Sequence, residues 1–147
     1  AVKSISNETT FAEDVADQGV LDGHLWRMAE KVADRAKAKA LAGRVVVLKM
    51  KRADFKLITR RQALPDATQM ADRIYRCAHG LLQQLPPGID YRLLGVGLSE
   101  LISAEQADRE GNLLDPQEAQ RLGAERASDK IRTRFGERAI LKGRALR

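Results

Sequence analysis

Apolar residues along this chain follow two periods. Leu21, Leu25, Met28, Val32 and Ala36 recur at three-to-four spacing, which predicts a helix over 20–42 with one apolar face. Gly43 stands where a C-terminal cap belongs. Met70, Ile74, Cys77/Ala78, Leu81 and Leu85 repeat the helical spacing. Asp66 and Gln69 form a capping-box signature before this second helix, and Pro86, Pro87 and Gly88 stop it. Elsewhere the period is two. Residues 2–11, VKSISNETTF, alternate loosely and carry β-branched side chains. In RVVVLKMKR, Val46, Leu48 and Met50 share one parity, while Val45, Val47, Lys49 and Lys51 share the other. A turn near Arg52–Asp54, without glycine, leads to a paired strand over 55–63, and residues 90–100 read as a fourth strand.

The predicted order is strand, helix, strand, strand, helix, strand. Two amphipathic helices need a sheet face to cover, so the fold class is α+β: a four-stranded sheet with both helices packed on one face (β-α-β-β-α-β) and the other face left to solvent or a ligand. After residue 103 the character changes. Residues 104–118 hold five acids and one arginine, and read as an acidic linker with an apolar bump at Leu113 and Leu114. A capping signature at Asp115, Pro116 and Glu118 opens a third helix expected over 116–135, ending at Gly136, with a thin apolar face of Ala119, Leu122, Ala127, Ile131 and Phe135. The expected organisation is a sheet domain over 1–103, a linker over 104–118, and a basic helix and tail over 119–147.

The 147 residues suffice for one domain with a core that needs no staples. One cysteine, Cys77, and two histidines, His24 and His79, argue against an internal disulfide and a zinc site, and the usage fits a cytoplasmic setting. Cys77 falls in the apolar pattern of the second helix and reads as filler. No apolar run has the ~20 residues of a membrane span, so no membrane partner is expected. The chain begins with Ala1, as an excised piece of a longer protein would.

Signals of catalysis are absent. Gly95-Val96-Gly97 lacks the third glycine of a dinucleotide fingerprint and lies in a strand. Glu13 and Asp14 read as a solvated turn, and no side chain stands out as catalytic or metal-binding. Charge is more informative. The net charge is +6, and Lys49, Lys51, Arg52, Lys56, Arg60 and Arg61 fall within thirteen residues. Two readings fit this hairpin. The cations either keep an exposed sheet face soluble and its edge unpaired, or line a surface for a polyanion. Favouring the second, the opposite parity is apolar. The first strand adds Lys3 and the hydroxyls of Ser4, Ser6 and Thr10, which can donate to phosphate. Gly95 and Gly97 permit close backbone approach. Glu8 and Asp54 are the only acids on the first three strands and their turn. Phe55 is the one aromatic among the basic residues, too few for a base-stacking platform, which disfavours a small RNA-binding domain.

Four segments, KSISNETTF (3–11), GRVVVLKMKRADFKLITRR (43–61), RLLGVGLSEL (92–101) and SDKIRTRFGERAILKGRAL (128–146), together resemble the C-terminal little finger domain of Y-family translesion DNA polymerases, closest to the bacterial DNA polymerase IV branch. The likeness runs in order over essentially the whole chain. It implies a sheet that grips the phosphates of primer-template duplex with little reading of sequence. The DNA contacts would fall on Lys3, Ser4, Ser6, Lys49, Lys51, Thr59, Arg60 and Arg61. It implies a parent that is a DNA-directed DNA polymerase in replication and repair of damaged DNA, dependent on Mg2+. This chain would hold no cofactor and make no DNA alone, since the palm, fingers and thumb with their metal-binding acids lie elsewhere. It further implies contact with the sliding clamp through a short peptide. The nearest match is EGNLLD (110–115), where Glu110 replaces the usual Gln and Leu114 the usual Phe, leaving Leu113 and Leu114 as clamp-binding candidates. A module that works mainly through that peptide is the alternative function.

Overall fold

The computed structural model describes residues 3–108 and 116–146, with side chains of the second stretch over 117–132. The chain divides into two compact units, residues 1–109 and 110–147. In the first, β1 (Ser4–Val15), α1 (Gln18–Ala38), β2 (Leu41–Arg52), β3 (Leu57–Thr68), α2 (Ala71–Gln83) and β4 (Tyr91–Ser103) appear in the predicted order. The strands form one antiparallel sheet ordered β1-β4-β2-β3. The two most apolar strands are therefore central, and the polar β1 and β3 are the edges.

Alternation decides which face is covered. Val46, Leu48 and Met50 of β2 pair with Leu98, Val96 and Leu94 of β4, and all six lie in the core with Leu21, Leu25, Met28, Val32 and Ala36 of α1 and Ile74, Ala78, Leu81 and Leu82 of α2. Both helices thus bury their apolar stripes on one sheet face, as predicted. Of the other parity of β2, Val47, Lys49 and Lys51 are left half-exposed, while Val45 is buried. Cys77 packs partly buried against this core, and burial pushes its thiol pKa up.

Several local expectations are corrected. Helix α1 stops at Ala38, well before Gly43. Lys39 caps it through its N–H to Ala36 O, and Ala40 takes the left-handed conformation (φ 53°) that a glycine usually supplies. Gly43 sits inside β2, where an added Cβ would lie 2.7 Å from Leu98 Cβ, so its smallness serves packing. Asp66 does not cap α2. Strand β3 runs on through Pro65 to Thr68, which an edge strand tolerates because the missing N–H need not pair. Its pairing with β2 skips from Ala63 to Thr68 across a bulge. The start of α2 is held instead by Thr68 Oγ1, which accepts from Met70 N (2.9 Å), and by Asp108, which accepts from Gln69 N (3.1 Å). Asp108 also accepts from Thr68 Oγ1 (2.6 Å) and Arg73 Nη1 (2.8 Å), so an acid expected in the linker is buried and bonded.

The β2–β3 turn is closed by Arg52 N donating to Lys56 O (2.9 Å) and Lys56 N donating to Asp54 (3.2 Å). With no glycine available, Phe55 adopts φ 70° and its exposed ring lies 4.1 Å from the Arg92 guanidinium carbon. In the second unit, α3 spans Pro116–Leu146 and passes through Gly136 without ending. A glycine inside a helix costs ~1 kcal/mol relative to alanine but does not by itself stop it. Ala119, Ala127 and Ile131 of its expected apolar face are exposed, Leu122 is buried, and the Phe135 side chain lies outside the described residues.

Candidate nucleic-acid interface

The helix-free face of the sheet is built in rows that run across all four strands. One row is Ser4, Ser99, Val45 and Ala63. The next is Ser6, Gly97, Val47 and Arg61, then Glu8, Gly95, Lys49 and Thr59, then Thr10, Leu93, Lys51 and Leu57. Pairing register fixes these neighbours, because a one-residue slip would turn every side chain to the other face. Six of the eight candidate residues, Ser4, Ser6, Lys49, Lys51, Thr59 and Arg61, therefore share this face.

Two candidates do not. Arg60 pairs with Leu48, a core residue, so alternation directs it to the helix side, where it overhangs the edge and donates to Thr59 O (3.0 Å). Burial pushes the hydroxyl pKa of the core residue Tyr91 up, and the positive charges of Arg52 and Arg60 pull it back, which agrees with that placement. Lys3 is exposed just before β1, on the parity of the core residue Ile5. Leu113 and Leu114 lie outside the described residues.

The middle of the face is hollow. Gly95 and Gly97 put no side chains over β4, and the strands pack so closely that an added Cβ would come within 3.1 Å of Glu8 Cβ and 3.0 Å of Ser6 Cβ. The result is a shallow groove of ≈ 230 Å³, lined by Ser4, Ser6, Glu8, Lys49 and Ser99 and floored by the glycine backbone. Two of its residues are not among the site candidates read from the sequence. Ser99 is one of the residues lining the groove, and its Oγ is buried with no hydrogen-bond partner among the described residues. Glu8 accepts from Lys49 Nζ at 3.2 Å across the Gly95 gap. Both the place of the serine opposite Ser4 and the ion pair depend on strand order, which the sequence does not state.

Two supports hold the groove in place. Arg35 of α1 donates to Ser6 O (2.7 Å), which ties the edge strand β1 to the helical layer. Arg92 is the extra residue where the β2–β4 register slips between the Lys51–Leu93 and Arg52–Tyr91 pairs. That bulge sends Tyr91 into the core while Leu93 stays on the open face. Among the described residues no helix is long and apolar enough to cross a membrane, and no three His, Cys, Asp or Glu side chains gather to hold a metal.

Comparison with known proteins places this geometry. Residues 2–113 match the model of the impB/mucB/samB family C-terminal domain. The DNA polymerase IV of Caulobacter vibrioides is 41% identical over 100% of this chain and 36% of its own length. That of Brucella melitensis biotype 1 is 45% identical over 97% of this chain and 32% of its own. The chain thus spans about a third of the curated relatives it matches. Among solved structures, the fold is shared with an insertion ternary complex of Dbh DNA polymerase (TM-score 0.60, 16% identity, 68% of this chain and 29% of that one). It is also shared with the little finger domain of PolIV in a complex with the beta-clamp processivity factor (TM-score 0.56, 20% identity, 75% of this chain and 97% of that one). The chain belongs to the impB/mucB/samB family, as a C-terminal, little finger domain of the DNA polymerase IV kind.

Proposed function

We propose that the helix-free face grips the phosphate backbone of duplex DNA and so tethers a translesion polymerase to its primer-template. The observation that carries this reading is the gathering of Lys49, Lys51 and Arg61 with Ser4, Ser6, Ser99 and Thr59 on one face around a glycine-floored groove. Cations supply affinity, and hydroxyls and backbone give close contact without reading bases. Parental Mg2+ would be held outside this chain, whose described residues bring together no set of ligands that fits it. Nucleotide transfer, action on damaged DNA and a cytoplasmic setting belong to the proposed parent on the strength of the family.

The test is fluorescence anisotropy of a labelled primer-template duplex over a salt series. Three to five phosphate contacts predict a log–log slope of about −3 to −5, with little dependence on sequence. Lys49→Glu, Lys51→Glu and Arg61→Glu together should abolish binding while the far-UV dichroism stays native. Binding that survives this triple variant rejects the face.

A second surface is favoured by the solved complex of a little finger domain with the beta-clamp processivity factor. The 110–115 peptide would place Leu113 and Leu114 in an apolar site on the clamp. Leu113→Ala with Leu114→Ala should lower clamp binding and leave the duplex slope unchanged.

A further inference from the structure

We infer that Glu8 is a resident competitor for phosphate: its carboxylate occupies Lys49 in the free domain and must be displaced before that lysine can hold DNA. The inference rests on the phosphate-gripping reading above. Glu8 and Lys49 belong to strands that do not touch; β4 lies between them. Two strand spacings separate their backbones by roughly 9.5 Å. Their side chains meet at 3.2 Å because the residue between them in the row is Gly95, which raises no obstacle. The pair therefore bridges the groove in the centre of the open face, where a phosphate following the sheet would pass.

Stability is a poor explanation for it. Both side chains are about half exposed, at 42% for Lys49 and 54% for Glu8, and such pairs contribute only ~0–1 kcal/mol. For a surface that meets a polyanion, an acid in the central row is a direct cost to binding. It also holds a mobile lysine in a bridging position, where a phosphate oxygen can replace the carboxylate oxygen one for one. A grip built this way is weaker than its cations imply, and it is more readily released.

The test compares Glu8→Gln, Lys49→Gln and the double variant with the unaltered chain, by duplex anisotropy from low salt to about 1 M. Glu13→Gln, at an exposed acid of β1 in the unpaired interval between Thr10 and Val15, controls for the general field. Freeing one cation should steepen the slope by about 0.9 and, if affinities converge near 1 M, tighten binding up to roughly eight-fold at ~0.1 M salt. In the Lys49→Gln background the Glu8→Gln gain should fall below about two-fold. Glu8→Ala should repeat the result. If the chain binds with the expected slope and Glu8→Gln changes nothing, or helps equally without Lys49 or no more than Glu13→Gln does, the competitor role is overturned and the phosphate-gripping face stands. If only the Glu8 variants bind, the competitor role is upheld in its strongest form. If neither the chain nor the variants bind at low salt, both readings fall.

Discussion

At the scale of single residues, the structure departs from its sequence where a local rule is broken under a tertiary constraint. Phe55 is one case. It holds φ 70° in a turn that would suit glycine, and its ring meets Arg92 at 4.1 Å. The left-handed conformation costs a side-chain-bearing residue roughly 1–2 kcal/mol, while an exposed cation–π contact returns about 0.5–1 kcal/mol. Phe55→Gly should therefore be more stable than Phe55→Ala in urea unfolding, by about 1 kcal/mol, because both lose the ring and only glycine escapes the strain. Asp108 is the other case. It is 6% exposed and accepts from Thr68, Gln69 and Arg73, although along the chain it is one acid among five in a polar stretch. Burial of a charge depends on what surrounds it, and Thr68 is 40 residues away in sequence. Asp108→Ala leaves Arg73 with a partner removed and should destabilise by roughly 3 kcal/mol in chemical denaturation.

At the scale of elements, periodicity is a good guide and termini are poor ones. The parity of Val46, Leu48 and Met50 against Lys49 and Lys51 is legible in the sequence itself, because a strand has only two faces. The helix stripes are legible for the same reason. Strand order is not. That Glu8 faces Lys49, and that Arg61 and not Arg60 is the one on the open face, follow from pairing across β4 and β2. The helix–helix contact is equally hidden. Tyr75 OH of α2 donates to Asp22 of α1 (2.7 Å), His79 Nδ1 meets the same carboxylate (2.6 Å), and Trp26 lies edge-on to Tyr75. Burial, then the hydrogen bond to Asp22 and its charge, push the Tyr75 hydroxyl up to about 12. A raised pKa means the folded state holds the proton more tightly. That stability is complete below the unfolded value near 10 and is lost as pH rises through about 12. Tyr75→Phe removes the hydroxyl. It should cost about 1–2 kcal/mol at neutral pH and flatten the fall in Tm between about pH 10 and 12.

At the scale of the whole molecule, net charge and charge placement make different predictions, and a truncation separates them. Residues 110–147 hold nine Lys/Arg and six Asp/Glu, so +3 of the chain's +6 lies outside the compact unit that carries the sheet. A chain ending at Arg109 keeps Asp108 and every row of the open face. It should unfold cooperatively with a core intact, whereas one ending at Ser103 loses the Asp108 bonds and should be less stable by roughly 3 kcal/mol. If DNA is held by the open face, the 1–109 chain should keep its salt slope within about one unit, because the slope counts phosphates neutralised at the contact. If binding instead reflects overall basicity or the basic third helix, halving the net charge should remove several units of slope. Anisotropy titrations of the 1–109 and 1–147 chains on the same duplex decide between these. A preserved slope would place the grip on a surface whose total charge is modest, where alignment of a few cations over a glycine-floored groove matters more than how many the chain contains.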